Sequence, residues 1–201
     1  MQRKNKIKKT SFKKSLIFLL SVITLTAHAA NQNDIAKLTK LASESSIKGL
    51  DLSNTDLRAY QFTNGKVSLQ NANLSHSDLS KVNLEKVDLS NANLSYANLQ
   101  NANLTGANLT NANLEHANLS YAILNQVNLS NATLSFSILN NASLQQADLN
   151  NANFSCANFN NANLTKADFT KANISSATFI NTITTDILHY DSVTDAKIAC
   201  G

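Results

Sequence analysis

The chain has 201 residues, of which 43% are hydrophobic and 6% aromatic, and it contains four glycines, no proline and no tryptophan. Its 17 basic and 13 acidic residues give a formal net charge of +4, but seven of the basic residues and none of the acidic ones lie in residues 1–29. The remainder carries 10 basic and 13 acidic residues, a net charge of −3, which excludes a nucleic-acid-binding protein that relies on clustered Lys and Arg to neutralise phosphates.

The segment 1–29 has the three parts of a secretory signal peptide. Seven basic side chains between Arg3 and Lys14 precede an apolar stretch from Leu16 to Leu25, and an A-x-A cleavage site ends at Ala29. The apolar stretch is shorter than the roughly 20 residues of an ordinary membrane span, which disfavours an uncleaved anchor, and no stable membrane insertion is expected after cleavage. These features predict cleavage near Ala29 and a periplasmic or secreted protein.

Residues 30–49 are predicted to form a short N-terminal helical cap or a linker. Asn33 and Asp34 are suited to the N-cap of a helix, and the helix would end near Gly49. Four apolar residues would share one face of it: Ile35, Leu38, Leu41 and Ala42. The alternative is an unstructured start of the cleaved chain.

A five-residue period dominates the rest of the sequence. From Leu69 to Phe179, a Leu, Phe or Ile stands at every fifth position, and Ala usually stands two residues earlier. In an α-helix, a five-residue step would rotate this position by about 140° each time and form no stripe. The period therefore excludes an amphipathic helix.

Within each pentad, the first three residues alternate apolar, polar and apolar, as in Ala92-Asn93-Leu94. Such alternation is typical of a short extended segment with one buried face. Because five is odd, a turn must follow each triplet to bring the next Ala and Leu inward again. A chain that turns in this way every five residues winds into a solenoid around its own core.

The pentad Ala92-Asn93-Leu94-Ser95-Tyr96 and its neighbours resemble the pentapeptide-repeat proteins, whose motif is A(D/N)LXX. The match is regular over residues 69–181 and looser from Leu50, so the predicted repeat region is 50–183. The resemblance implies an all-β, right-handed quadrilateral β-helix with four pentads in each coil.

Both ends of this β-helix depart from the regular repeat. The early pentads centred on Leu52, Leu57 and Phe62 are two residues out of register with Leu69, and a loop containing Asn64-Gly65 is predicted in the gap. Residues 184–201 are predicted to be an irregular C-terminal capping tail. A solenoid end left uncovered would also allow two copies of the chain to pair.

With four pentads per coil, every fourth pentad stacks in one column. One outward column contains His76, Tyr96, His116 and Phe136, followed by Cys156, and is the candidate site for docking a partner protein; simple surface stacking is the alternative. A second column, of asparagines at 71, 91, 111, 131 and 151, is expected to join coils by amide hydrogen bonds. His76 and His116 would lie two coils apart, roughly 10 Å, too far to share a metal ion.

The chain has two cysteines, Cys156 and Cys200. In an oxidising compartment, they could form a disulfide that ties the tail to the β-helix. The alternative is two free thiols, since the spacing in the sequence does not determine whether Cys200 reaches Cys156.

No grouping typical of a catalytic site, a cofactor site or a metal site stands out in the sequence, so we expect a non-catalytic protein without cofactors. We interpret it as an exported β-solenoid that serves as a structural or protein-interaction module with an unknown protein partner. The resemblance implies an alternative, a DNA mimic that binds DNA gyrase and confers quinolone resistance. Residues 69–181 carry six acidic and four basic side chains, a net charge of −2 that is low for such mimicry. A third alternative is an exported effector that acts in another cell.

Overall fold

A computed structural model describes residues 49, 51–60, 62 and 68–188. From Ser68 onward, one residue in each pentad forms a parallel backbone bridge with its counterpart four pentads later, as in Asn73 with Asn93 and Asp78 with Asn98. The same spacing recurs on four sides of the chain, so four pentads make one coil. This confirms the coil length that the resemblance implied. Each side contributes one isolated bridge residue per coil, and no longer strand and no helix occurs in the parts of the chain given above.

Four sides and four corners define the surface of the solenoid, and each is named after its first member in the regular repeat. A side consists of one bridge residue and its counterparts in all later coils. In chain order, the four are the Asn73 side, the Asp78 side, the Asn83 side and the Asp88 side. The His76 corner joins the Asn73 side to the Asp78 side, and the Lys81 corner joins the Asp78 side to the Asn83 side. The Lys86 corner follows, and the Asn71 corner closes the coil.

The interior is built from the two apolar positions of each pentad. The central Leu side chains from Leu52 to Leu164 are fully buried, and the Ala two residues earlier is at most 1% exposed over most of the same length. Near the C-terminal end, Phe154, Phe159 and Phe169 replace Leu and form a cluster of tilted rings with centroids 5.1 to 6.2 Å apart. Core packing therefore changes where the sequence replaces Leu by larger residues.

Each corner is a tight turn closed by one backbone hydrogen bond. The amide of Ala72 donates to the carbonyl of Leu69 at 3.0 Å, and the equivalent bond recurs in later pentads. The third residue of the turn has positive φ in every regular pentad, for example 57° at Asn71 and 59° at Tyr96. Type II turns require this conformation at that residue, and Asn and Gly adopt it more readily than other residues.

The Asn that precedes each Leu stabilises the turn and joins successive coils. Oδ1 of Asn103 accepts hydrogen bonds from the amide and the hydroxyl of Thr105, and its Nδ2 donates to Oδ1 of Asn83 at 3.2 Å. Equivalent bonds between coils occur on all four sides. In the asparagine column at the Asn71 corner, one such bond is seen, from Asn111 to Asn91. The side-chain hydrogen bonds between coils therefore come mainly from the bridge residues, and fewer come from the corner asparagines that we expected to form them.

Replacing Asn103 by Ala should lower the free energy of unfolding by about 1 to 3 kcal/mol, because three hydrogen bonds are lost at a partly buried position. Urea denaturation followed by circular dichroism measures this loss. Thr105→Ala is the matched control, since it removes only the hydroxyl bond and should cost less than half as much. Equal losses in the two variants would contradict the role given to Asn103.

The first coil confirms the two-residue offset that the sequence predicted. Asp51 pairs with Asn73 and Asp56 with Asp78, so each of these bridges spans two residues more than the bridges of the regular coils. The two additional residues lie between Phe62 and Ser68, and the predicted loop at Asn64-Gly65 itself lies outside the described residues.

An ion pair connects the first two coils. Arg58 contacts Asp56 at 2.7 Å and Asp78 of the next coil at 3.3 Å. Its hydrogen bond to Asp56 lowers the pKa of that carboxyl group below the ordinary value. The pair therefore favours the folded first coil at neutral pH, and this contribution is lost in acid as Asp56 becomes protonated.

At the C-terminal end, the coil geometry continues to Leu188, which pairs with Asp168. This is five residues into the segment predicted as a tail, although Thr184 interrupts the apolar pattern. The signal peptide, the helical cap at 30–49 and the remainder of the tail lie outside the described residues and stay predictions. Among the described residues, no helix is both long and apolar enough to cross a membrane.

Candidate interaction surface

The column of rings predicted at the His76 corner is present. His76 stacks on Tyr96, Tyr96 on His116 and His116 on Phe136, with centroids 4.9, 4.7 and 4.9 Å apart and ring planes within 11° of parallel. These distances equal the spacing between neighbouring parallel strands, because each ring is carried by the same turn position of successive coils. We call these four residues the aromatic ladder.

Stacking determines which part of each ring a partner could contact. The faces of Tyr96 and His116 are covered by the rings before and after them, so their edges point outward. Tyr96 is nevertheless 52% exposed and Phe136 42% exposed. The aromatic ladder therefore presents a narrow apolar ridge of ring edges, suited to packing against side chains of another protein.

Further exposed apolar side chains lie beside the aromatic ladder. Ile138 is on the Asp78 side, next to Phe136, and Tyr121 is at the Lys81 corner. Ile123 is on the Asn83 side, and it takes the place of the Asn found at most bridge positions. These residues extend the apolar region from the His76 corner across the Asp78 side and around the next corner.

The distribution of exposed apolar side chains is strongly uneven. Eight large hydrophobic residues are exposed in the described part of the chain, and seven of them lie between the His76 corner and the Asn83 side. We call this region the apolar surface; its members are Tyr96, Phe136, Ile138, Tyr121, Ile180, Ile123 and Ile183. The eighth, Leu188, lies on the Asp88 side.

The other half of the circumference is polar. The Asn71 corner carries asparagines from Asn71 to Asn151, and the Asp88 side carries Asp88, Asp148 and Asp168 among neutral residues. Polar side chains cover the remaining outward positions there, apart from Gly106 at the Lys86 corner and Leu188. The two halves of the rod therefore offer different chemistry to a partner, although their backbones are alike.

Sequence reasoning identified the aromatic ladder but not the rest of the apolar surface. Ile123 and Ile138 were visible as exceptions to the Asn or Asp that precedes Leu, and Tyr121 as an aromatic residue at a turn position. That these residues lie close together becomes visible only when adjacent columns of the coil are compared with one another. Reading apolar residues at outward positions, column by column, would have found them.

The geometry also bears on metal binding and on the predicted disulfide. The ring of Tyr96 lies between His76 and His116, so the two imidazoles do not face each other. No cluster of three or more metal-ligating side chains occurs within the described ranges. Cys156 follows Phe136 at the His76 corner and is disulfide-bonded. Cys200, the other cysteine of the chain, lies outside the described residues.

Comparison with known families identifies the repeat. A family model described as pentapeptide repeats matches in eight copies, over overlapping segments that together span residues 68–183. The chain belongs to the pentapeptide-repeat family. Members of this family form right-handed quadrilateral β-helices, and the parallel bridges of this chain give it the same four pentads in each coil. They are in general non-catalytic structural or interaction proteins.

Solved structures of pentapeptide-repeat proteins align with the chain. One, from the thylakoid lumen of Arabidopsis thaliana, is 34% identical over 50% of this chain and 66% of its own, with a TM-score of 0.39. HetL of Nostoc sp. strain PCC 7120, involved in regulating heterocyst differentiation, is 28% identical over 71% of this chain and 82% of its own, with a TM-score of 0.29.

The plasmid-mediated fluoroquinolone resistance protein QnrB1 is 14% identical over 78% of this chain and 94% of its own, with a TM-score of 0.43. By comparison, the alignment with the Arabidopsis protein covers 66% of that protein, just under two thirds of its length. A search of curated proteins found no significant match.

Proposed function

We propose that this pentapeptide-repeat protein is an exported, non-catalytic rod that binds a partner protein through the apolar surface. The concentration of seven exposed hydrophobic side chains on one half of the circumference carries the proposal. Aromatic residues in such a patch are the type that dominates binding energy in protein interfaces. An outward column of rings is not needed to bury the core, which Leu and Ala already fill.

The shape of the rod adds a requirement for the partner. The apolar surface extends around the Lys81 corner, from Ile138 on one side to Ile123 on the next. A flat partner would contact one side only, whereas stable interfaces bury about 1,200 to 2,000 Å² in total. The partner is therefore a protein with a groove or loops that reach around this corner.

Charge favours this function over gyrase inhibition by DNA mimicry. Residues 69–181 carry only six acidic side chains against four lysines, and the acidic residues do not repeat from coil to coil except on part of the Asp88 side. A DNA mimic needs a dense, regular array of negative charge to replace phosphates. The charge of the rod therefore disfavours the gyrase alternative, and no feature of the described residues favours an effector acting in another cell.

Differential capture tests the partner-binding proposal. The cleaved protein, residues 30–201, is immobilised and exposed to periplasmic and secreted fractions, in parallel with Tyr96→Ser/Phe136→Ser. The control Asn91→Ser/Asn131→Ser changes the same turn position at the Asn71 corner. Quantitative mass spectrometry should show a partner reduced at least about tenfold by the ladder variant, because loss of two aromatic contacts costs more than about 1.4 kcal/mol, and unchanged by the control. Equal capture by all three proteins would reject the proposal.

Export is tested separately, by fractionating the producing cells and sequencing the N-terminus of the protein. A chain that begins near Ala30 and is found outside the cytoplasm is the expected result. An intact N-terminus in the cytoplasmic fraction would overturn the exported part of the proposal without affecting the binding surface.

A further inference from the structure

Two backbone amides in the middle of the rod lack the acceptor that their counterparts have. In the described coils, every bridge Asn or Asp accepts a hydrogen bond from the amide two residues later, as Oδ1 of Asn118 does at 3.1 Å. Ile123 and Ile138 have no side-chain acceptor, and within the described residues the amides of Asn125 and Asn140 donate to no protein atom. We call these two the open amides. Because the usual acceptor is an outward side chain, the open amides face the surface of the rod.

The preceding coil does not compensate for the missing acceptors. It does so elsewhere, since the amide of Gln145, which follows a bridge serine, donates to Oδ1 of Asn125 at 3.0 Å. The residues one coil before the open amides are Thr105 and Ser120, and each of their hydroxyl groups is bonded to the Asn of its own pentad. Within the described coils, Oδ1 of Asn140 is also buried without a hydrogen-bond partner. The site therefore has unused hydrogen-bonding capacity.

The open amides lie inside the apolar surface. Ile123 is 43% exposed and Ile138 is 41% exposed, and Tyr121 stands at the corner between their two sides. Two further amides of the described residues lack an acceptor, but Ser135 is only 6% exposed and Thr185 belongs to the last described coil. Donors without an acceptor and exposed apolar side chains therefore coincide on two neighbouring sides of the rod.

The charge of these coils determines which acceptor fits. Residues 87–165, which include both open amides, contain no Lys or Arg and three carboxylates, those of Asp88, Glu115 and Asp148. A carboxylate brought by a partner would meet no Lys or Arg to compensate it, and burying an unpaired charge costs far more than burying a hydrogen-bonded neutral group. The fitting acceptor is therefore a neutral carbonyl oxygen, which the main chain of a protein supplies at every residue.

The spacing of the open amides determines the length of segment that can reach both. Gln145 stands one coil after Asn125 in the same column and follows Asn140 by five residues. The open amides are therefore at most about 18 Å apart along the coil, and one coil spacing, about 5 Å, apart along the rod axis. An extended segment of about six residues spans this distance.

We propose that the partner binds through an extended segment of about six residues that crosses the Lys81 corner. Main-chain carbonyl oxygens of this segment accept hydrogen bonds from the amides of Asn125 and Asn140, and its apolar side chains pack on Tyr121, Ile123 and Ile138. The inference rests on the proposed function and adds the chemistry by which the partner is recognised. Elsewhere along the regular coils, the bridge Asn or Asp already occupies the equivalent amide, so the segment has one preferred position.

Amide hydrogen exchange, measured by nuclear magnetic resonance on the cleaved protein, tests whether the donors are open. After correction for local sequence, the amides of Asn125 and Asn140 should exchange at least about tenfold faster than the amide of Ser120, which is hydrogen-bonded at the same turn position. The double variant Ile123→Asn/Ile138→Asn restores the usual acceptor and should slow both. Slow exchange of these two amides in the parent protein would overturn the proposal.

Binding of peptides tests the recognition itself. A phage-displayed library of random linear peptides is selected on the cleaved protein, and a selected peptide without carboxylate groups is synthesised for calorimetry. It should bind Ile123→Asn/Ile138→Asn at least about tenfold more weakly than Ile123→Thr/Ile138→Thr. The Thr variant is the matched control, because both variants lose apolar area, whereas Thr at a bridge position leaves the amide unbonded, as at Thr133. On binding, the exchange of the two open amides should slow.

The outcomes separate this inference from the function on which it rests. Equal affinity for the Asn and Thr variants, selection only of peptides that need a carboxylate, or no selected peptide at all would overturn the hydrogen-bonded segment. Partner binding through the apolar surface would still stand if capture remained dependent on Tyr96 and Phe136. Loss of that dependence in the capture experiment would instead reject the proposed function.

Discussion

Replacing Leu119 by Ala is expected to lower the free energy of unfolding by about 2 to 5 kcal/mol, the range for deleting a fully buried Leu side chain. Leu119 is 0% exposed, and coils lie both before and after it. The cavity cannot collapse easily, because the backbone of each neighbouring coil is fixed by hydrogen bonds on all four sides. Urea denaturation monitored by far-ultraviolet circular dichroism measures the loss.

Leu119→Met is the control for this substitution. Met has a similar volume and should cost less than about 1.5 kcal/mol. If the Ala and Met variants lost the same small amount, the central Leu column would not be the main source of stability in this rod.

Enlarging Ala102 to Leu should also destabilise the protein, by about 1 to 3 kcal/mol, because extra methylene groups must enter a filled interior. Ala102 is 0% exposed, and one coil earlier Val82 occupies the same position at 2% exposed. Ala102→Val is therefore the matched control, since this column already accommodates Val, and its cost should be clearly smaller. Thermal unfolding of the two variants and the parent protein gives the comparison, and a Leu variant as stable as the parent would show that the inner corner has unused space.

The fold could be predicted from the sequence because one rule repeats without interruption. Every central residue from Leu69 to Phe179 is apolar, and the two-residue offset before Leu69 follows from counting. The four pentads in each coil were implied by the resemblance to the pentapeptide-repeat proteins and not by the five-residue period itself. The sequence alone did not predict which asparagines form hydrogen bonds between coils. Asn stands at both the bridge and the corner positions, and only the geometry shows that Asn103 bonds two coils while most corner asparagines do not.

The aromatic ladder could be predicted for the same reason, since His76 and Tyr96 are separated by one full coil. The wider apolar surface was harder to predict, because Tyr121, Ile123 and Ile138 belong to three different columns. They become neighbours only when the coil is closed around its corners. What the surface binds depends on the shape and chemistry of a second molecule. The repeat pattern of this chain carries information about its own fold and none about that molecule.

The four-pentad coil also restricts how such a protein can change length during evolution. Inserting or deleting one pentad would keep every Leu inward but would rotate all later residues by a quarter turn. Phe136 would then leave the column that holds Tyr96 and His116, and the apolar residues would be spread over different sides. A duplication or loss of one whole coil would preserve all four columns. If the apolar surface is under selection, related chains should differ in length by whole coils, and single pentads should be gained or lost only beyond its ends.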